Sequence, residues 1–180
     1  FEVLSTPVLS LENKTDTILS ISQIENAENY VVYKQNGVNF ETFAEIDTNS
    51  CEFDIGSEIL VFRAQAIGNG STTINSNYSG NINVQKLVSP TLTYNRNSDV
   101  VSITDLNNSD IVKDYVLTVN GEPKNYDFTS EYADFVVGDN EFVVYIEAID
   151  PSENIFYLNS DCFTLNINKI DGEVKFNINQ

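Results

Sequence analysis

Apolar residues in this chain recur at every second position within short runs. Leu60, Phe62, Ala64 and Ala66 share one side of such a run, and Phe142, Val144, Ile146 and Ala148 share one side of another. A period of two places these side chains on a single face of an extended strand, the pattern of antiparallel sheets with one buried face. Similar runs return at intervals of ~8–12 residues with turn residues between them. The first half predicts strands over 8–11, 18–21, 30–35, 51–55, 59–67 and 82–84. The second half predicts them over 91–94, 100–104, 115–119, 132–137, 141–149 and 163–167. Nowhere does an apolar stripe at helical spacing persist for ten residues, so an all-β fold is expected.

The two halves carry the same text. Leu4-Ser5-Thr6-Pro7 returns as Leu87-Val88-Ser89-Pro90, and the Tyr30 segment ending in Asn36-Gly37 returns at Tyr115, ending in Asn120-Gly121. Phe62–Ile67 returns as Val144–Ile149. Three anchors at nearly one offset, in one order, mean tandem units of about 83 residues, the signature of a repeat architecture. The expected domains are 4–86 and 87–170, with 171–180 as a tail or the start of a further repeat. A rival reading makes Ile170-Asp171-Gly172-Glu173 a hairpin turn returning Val174–Ile178 against Leu165–Ile170. Aligning Pro7 with Pro90 sets Phe1-Glu2 opposite Val84-Gln85, so the chain is expected to open inside the tail of a preceding unit. The chain has no Met, a further sign of a piece of a longer protein. The connector 86–90 is short, apolar and closed by Pro90, which predicts a semi-rigid link.

The stretch Leu19–Tyr33, with Glu25, Ala27, Tyr30, Val32 and Tyr33, resembles the B–C region of fibronectin type III domains from multidomain bacterial surface proteins. Ala64–Gly70, followed by Ser76-Asn77-Tyr78-Ser79, is similar to the same family's F strand, F–G loop and start of strand G. The resemblance covers most of 4–86 and extends more weakly over 87–168. Ile21 and Ile103 stand where the family has its core Trp, and Leu60 and Phe142 stand where it has the F-strand Tyr. The second copy also inserts residues between Ile103 and Tyr115. The resemblance implies two tandem immunoglobulin-like β-sandwiches serving as non-catalytic spacer or adhesion modules of an extracellular bacterial surface protein. The alternative it leaves is a carbohydrate-binding or accessory module attached to a secreted hydrolase.

Composition narrows the partners. The chain has 180 residues with 27 acidic and 9 basic side chains, a net charge of −18 spread over both halves. Such a surface repels phosphate backbones and anionic lipid heads, which argues against nucleic acid and membrane partners. No apolar run approaches the ~18 residues of a membrane span. A hydrophobic content of 41% supports packed cores. There is no His, so neither His-activated nucleophiles nor His metal ligands are available. Cys51 and Cys162 are expected as a core residue and a strand-edge residue rather than a disulfide framework.

Candidate chemistry is sparse. Asn95-x-Asn97-x-Asp99 copies the opening of a calcium loop but lacks the Gly and the final acid, so a solvated hairpin is expected. Asp134, Asp139 and Glu141 around Gly138 allow either a cation between loops or ordinary turn composition. No two carboxylates stand out as a hydrolytic pair, so no catalytic residue, cofactor or metal site is expected. The four Asn-x-Ser/Thr sites, at Asn13, Asn69, Asn77 and Asn107, are no more than this Asn-rich composition yields by chance. Lys86 and Lys169, with Asn166 and Asn168 near, admit an isopeptide bond or simple edge lysines. The ligand-binding candidates are Phe156 and Tyr157, in the stretch 150–160 matching the family's F–G loop, where aromatic rings stack on sugars or anchor proteins. The competing account packs them beneath their own loop or at the start of strand G. Tyr126, Phe128 and Tyr132 form a weaker patch. Partners expected are a protein or glycan at the cell surface and neighbouring domains of the same chain.

Overall fold

The computed structural model describes residues 1–104, 109–125, 131–133 and 135–170. The aromatic pair Tyr126 and Phe128, the acid Asp134, the sequon at Asn107 and the stretch 171–180 lie outside that set. Along the first copy of the repeat run β1 (Glu2–Val3), β2 (Leu9–Leu11), β3 (Ile18–Ile21), β4 (Asn29–Asn36), β5 (Asn39–Ile46), β6 (Ser50–Glu52), β7 (Leu60–Ile67), β8 (Thr73–Ile74) and β9 (Ile82–Lys86). Along the second run β10 (Thr91–Asn95), β11 (Val100–Thr104), β12 (Val112–Val119), β13 (Glu122–Lys124), β14 (Gly138–Ala148), β15 (Ile155–Leu158) and β16 (Phe163–Lys169), with one short 3₁₀ turn at Ser109–Ile111. The described residues fall into two compact units: 1–87 together with 148–159, and those of 88–147 together with 160–170.

In unit one the sheet β2-β3-β6 faces the sheet β15-β9-β7-β4-β5. Leu9, Leu19, Ile21, Cys51 and Phe53 from the first meet Val32, Leu60, Phe62, Ala64, Ile82 and Val84 from the second in one core. This is the A-B-E over C′-C-F-G plan of an immunoglobulin-like, fibronectin type III-like sandwich. Burial of side chains such as Phe62 and Leu19, each fully enclosed, contributes about 1.5–3 kcal/mol apiece. Unit two repeats the plan with β13-β12-β14-β16 and the hairpin β10-β11. Tyr132 bridges Val101 by reciprocal backbone bonds of 2.8 Å, as Cys51 pairs with Leu19 in unit one. Its core gathers Leu92, Val101, Leu117, Phe135, Phe142 and Ile167.

Several elements depart from the expected strands. β5 pairs with β4 through a register irregularity opposite Val32 and Tyr33, which breaks its alternation: Ala44 and Ile46 pack against the core, Phe43 meets Phe62, and none of its side chains is fully buried. Of the expected strand 132–137, the described residues form a single bridge at Tyr132, and β14 begins at Gly138. The β12–β13 turn behaves as its residues dictate: Asn120 and Gly121 both take positive φ, the requirement of a two-residue type I′ loop. In the β4–β5 hairpin Asn36 stays in the strand opposite Asn39, and of the loop pair Gly37-Val38 only Gly37 takes positive φ. Gly68 is needed for another reason, since an added Cβ would lie 2.7 Å from the Thr73 backbone.

Serines complete the sheets where strand pairing has not yet begun. Ser79 Oγ accepts the Ala64 N–H at 2.8 Å and Ser76 Oγ accepts the Ala66 N–H at 2.9 Å. In unit two Ser160 Oγ accepts the Ile146 N–H at 2.8 Å. In each case the serine's own N–H donates to the carbonyl of the same partner residue, so the hydroxyl takes the place of a strand carbonyl.

Candidate functional site

The pair Phe156 and Tyr157 lies on β15, which belongs to unit one and runs parallel to β9, with Phe156 opposite Val84 and Tyr157 opposite Gln85. Alternation along β15 sends Leu158 into the core at 2% exposure and packs Phe156 against that core. Tyr157 takes the opposite, outer face of the sheet and is half-buried there. The two rings are therefore separated by the sheet itself, and only Tyr157 shares a surface with outward-facing side chains.

That outer face holds a cluster not anticipated from the sequence. Tyr33 pairs with Arg63 across β4 and β7, and Phe40 on β5 lies on the same side as Tyr33. The Arg63 guanidinium sits 4.0 Å from the centroids of both Phe40 and Tyr78 and 5.7 Å from that of Tyr33. Tyr33 and Tyr78 meet edge to face at 5.3 Å. Stacking fixes the planar guanidinium through its faces, while Arg63 Nε is buried and makes no hydrogen bond. Burial, and after it the neighbouring Tyr78, raises the Tyr33 hydroxyl above its ordinary pKa, with Arg63 pulling the other way. Gln65 next to it binds the Ser76 carbonyl at 2.8 Å. Tyr78 remains 45% exposed. The result is a patch of rings, a cation and amides. Tyr157 lies outside it: it is two strands away, opposite Gln85, and since Val84 pairs with Leu60 it sits about four residues along the strands from Arg63, roughly 16 Å in all. Sequence spacing placed Tyr33 and Arg63 in strands, but Tyr78 arrives from the connection before β9, which no periodicity encodes.

In unit two the Lys169 ammonium pairs with Asp99 at 2.6 Å and lies 4.6 Å from the Phe135 ring centroid. Tyr94 donates to the other Asp99 oxygen at 2.6 Å. Lys169, and after it Tyr94, holds the Asp99 carboxyl below its ordinary pKa. An ionised carboxylate facing an ammonium is an ion pair rather than an activated acyl group, and Asn168 instead binds Asp139. Asn95, Asn97 and Asp99 form the β10–β11 hairpin, with Asp99 at positive φ and its N–H on the Asn95 carbonyl. Among the described residues no three His, Cys, Asp or Glu side chains gather closely enough to hold a metal ion. Cys51 and Cys162 are both free, the first buried and the second exposed. No helix among the described residues is long and apolar enough to cross a membrane.

No family model matches the sequence, and no curated protein is similar to it. Among solved structures the chain is similar to the fibronectin(III)-like modules of Clostridium thermocellum CbhA, at 15% identity over 99% of this chain and 96% of that one, with a TM-score of 0.35. A two-domain fibronectin type III segment of chicken tenascin matches at 15% identity over 91% and 99%, TM-score 0.36. The FN1–FN3 domains of chicken CNTN1 match at 14% identity over 93% and 67%, TM-score 0.33. The strand order within each unit, not these overlaps, identifies the fold.

Proposed function

We propose that this chain is a non-catalytic spacer of an extracellular protein, holding neighbouring domains apart through repeated sandwiches. The observation that supports this most is the repetition itself: one strand plan is written twice, and each unit has its own apolar centre, that of unit one completed by 148–159 of the second copy. The acidic surface fits the same role, because like-charged modules stay soluble and separate. Single-molecule stretching tests it. Two discrete unfolding events on pulling from the chain ends support a load-bearing array; a single merged event, or catalytic turnover by the isolated chain, rejects it.

The Arg63 patch supports a second reading, adhesion through a glycan. Rings stack on the apolar face of a sugar while the guanidinium and Gln65 side chain offer polar contacts to hydroxyls. Affinity electrophoresis with immobilised polysaccharides distinguishes the readings. Saturable retardation, lost in Tyr78→Ala with the fold intact and kept in Tyr157→Ala, favours the glycan; unchanged mobility on every polysaccharide leaves the spacer alone.

A further inference from the structure

The outer edges of the two larger sheets are protected unequally. β5 carries Glu41 and Glu45, β13 is three residues long with Pro123 between Glu122 and Lys124, and β9 is covered by β15. Charges, proline, shortness and a covering strand each keep a sheet edge from recruiting another chain. β16 has none of these along most of its length. It runs seven residues, Phe163–Lys169, uncharged until the last, and among the described residues no strand pairs with its outer side.

The cover over β9 is one of two equivalent devices within unit one. β1 and β8 also pair in parallel, Glu2 opposite Thr73 and Val3 opposite Ile74. The repeat offset of 83 carries Glu2, Val3 and Leu4 onto Gln85, Lys86 and Leu87, and the pairing register sets Tyr157 and Leu158, 84 residues on, in the places of Thr73 and Ile74. The hydrogen bonds coincide as well. Leu4 N–H donates to the Ile74 carbonyl at 3.1 Å, and Leu87 N–H donates to the Leu158 carbonyl at 3.1 Å. Under these pairs Leu4 and Leu87 are 5% and 3% exposed. One further offset brings Leu87 to Ile170, which is 82% exposed. The same step brings Gln85 to Asn168, beside an open groove of about 720 Å³ lined by Tyr94, Arg96, residues 165–168 and Ile170.

We propose that the outer edge of β16, with Ile170, is a docking edge for the F–G segment of a further module of this same repeat. The segment adds as a parallel strand in the register of the two pairs already present in unit one. The donor segments of both copies, Ser71–Asn75 and Asn154–Asn159, contain no charged residue, so they approach an edge of an acidic protein without repulsion. The inference stands on the repeated pairing and does not require the spacer role: an adhesion module would use the same edge.

The test joins a second copy in frame after Ile170, starting at Ser5, so that Ile170 takes the place of Leu4. Hydrogen exchange of the Asn168 and Ile170 amides is then compared with that in the single chain. Protection of at least about tenfold in the joined chain, reversed by Ile74→Pro in the second copy, supports the proposal. Ile74 is 42% exposed, and the second copy's own melting transition confirms that the proline has not unfolded it. Equal exchange in single and joined chains overturns the proposal. So does protection already present in the single chain and lost on deleting residues 171–180, which would assign the edge to a hairpin with residues 174–178.

Discussion

Unit one places its large buried ring at Phe62, whereas unit two places it at Phe142, the position Leu60 holds in unit one, and fills the Phe62 position with Val144. Both rings are completely enclosed, and each is met by rings from elsewhere. Phe53 and Phe43 lie 5.3 and 5.5 Å from Phe62; Phe135 and Tyr132 lie 5.3 and 6.1 Å from Phe142. One sandwich plan is thus filled by two different jigsaws, with the aromatic volume moved two residues along the F strand. Pattern and total volume specify the plan, while the local partners decide which position carries the ring.

The largest way to break this comparison is to remove either ring. Phe62→Ala and Phe142→Ala are each expected to cost about 3–5 kcal/mol, and each only in its own unit. Thiol labelling separates them: Cys51 is buried in unit one, so Phe62→Ala accelerates its modification while Phe142→Ala does not, and exposed Cys162 reacts in both. Leu158→Ala sharpens the point. Although it lies in the second copy of the sequence, it belongs to the core of unit one and is expected to cost that unit about 2–5 kcal/mol. Urea melts followed by Cys51 reactivity check it; a loss confined to the Phe142 core would contradict the assignment.

Smaller effects test the serines. Ser79→Ala and Ser160→Ala each leave a buried strand N–H, of Ala64 or Ile146, without its acceptor, an expected loss of about 1–3 kcal/mol. Ser→Cys is no substitute, but Ser→Thr retains the acceptor and should recover part of the loss in chemical denaturation. The smallest contrast is in acid. Asp99 has a folded pKa below its unfolded value, so its contribution is present above about pH 4 and is lost as pH falls through the folded value. Unit two should therefore weaken in that window, and Asp99→Asn should remove that part of the pH dependence while Cys51 reactivity stays unchanged.

Much of this architecture was legible from residue order. Alternation at Leu60–Ala66 and Phe142–Ala148 reports one buried face directly, and the repeated Pro7 and Pro90, Asn36-Gly37 and Asn120-Gly121 mark where each copy begins and turns. β5 was illegible because the irregularity opposite Val32 and Tyr33 breaks its alternation and none of its side chains is fully buried. The serine bonds were visible only as Ser79 and Ser160 at matching places, without their acceptor role. Of the candidate binding residues, the sequence located Phe156 and Tyr157 in one segment but not on opposite faces of a sheet.

The amino-acid order by itself determined the all-β class, the tandem repeat and the residues that fill the cores, since these follow from period-two burial and local turn chemistry. Only the tertiary structure decided that 148–159 completes unit one, that Tyr78 reaches over Arg63, and that Ile170 is left uncovered where Leu4 and Leu87 are buried. The reason is physical: alternation records which face of a strand loses water, but strand edges are satisfied by backbone groups common to every residue, and their partners are chosen in space.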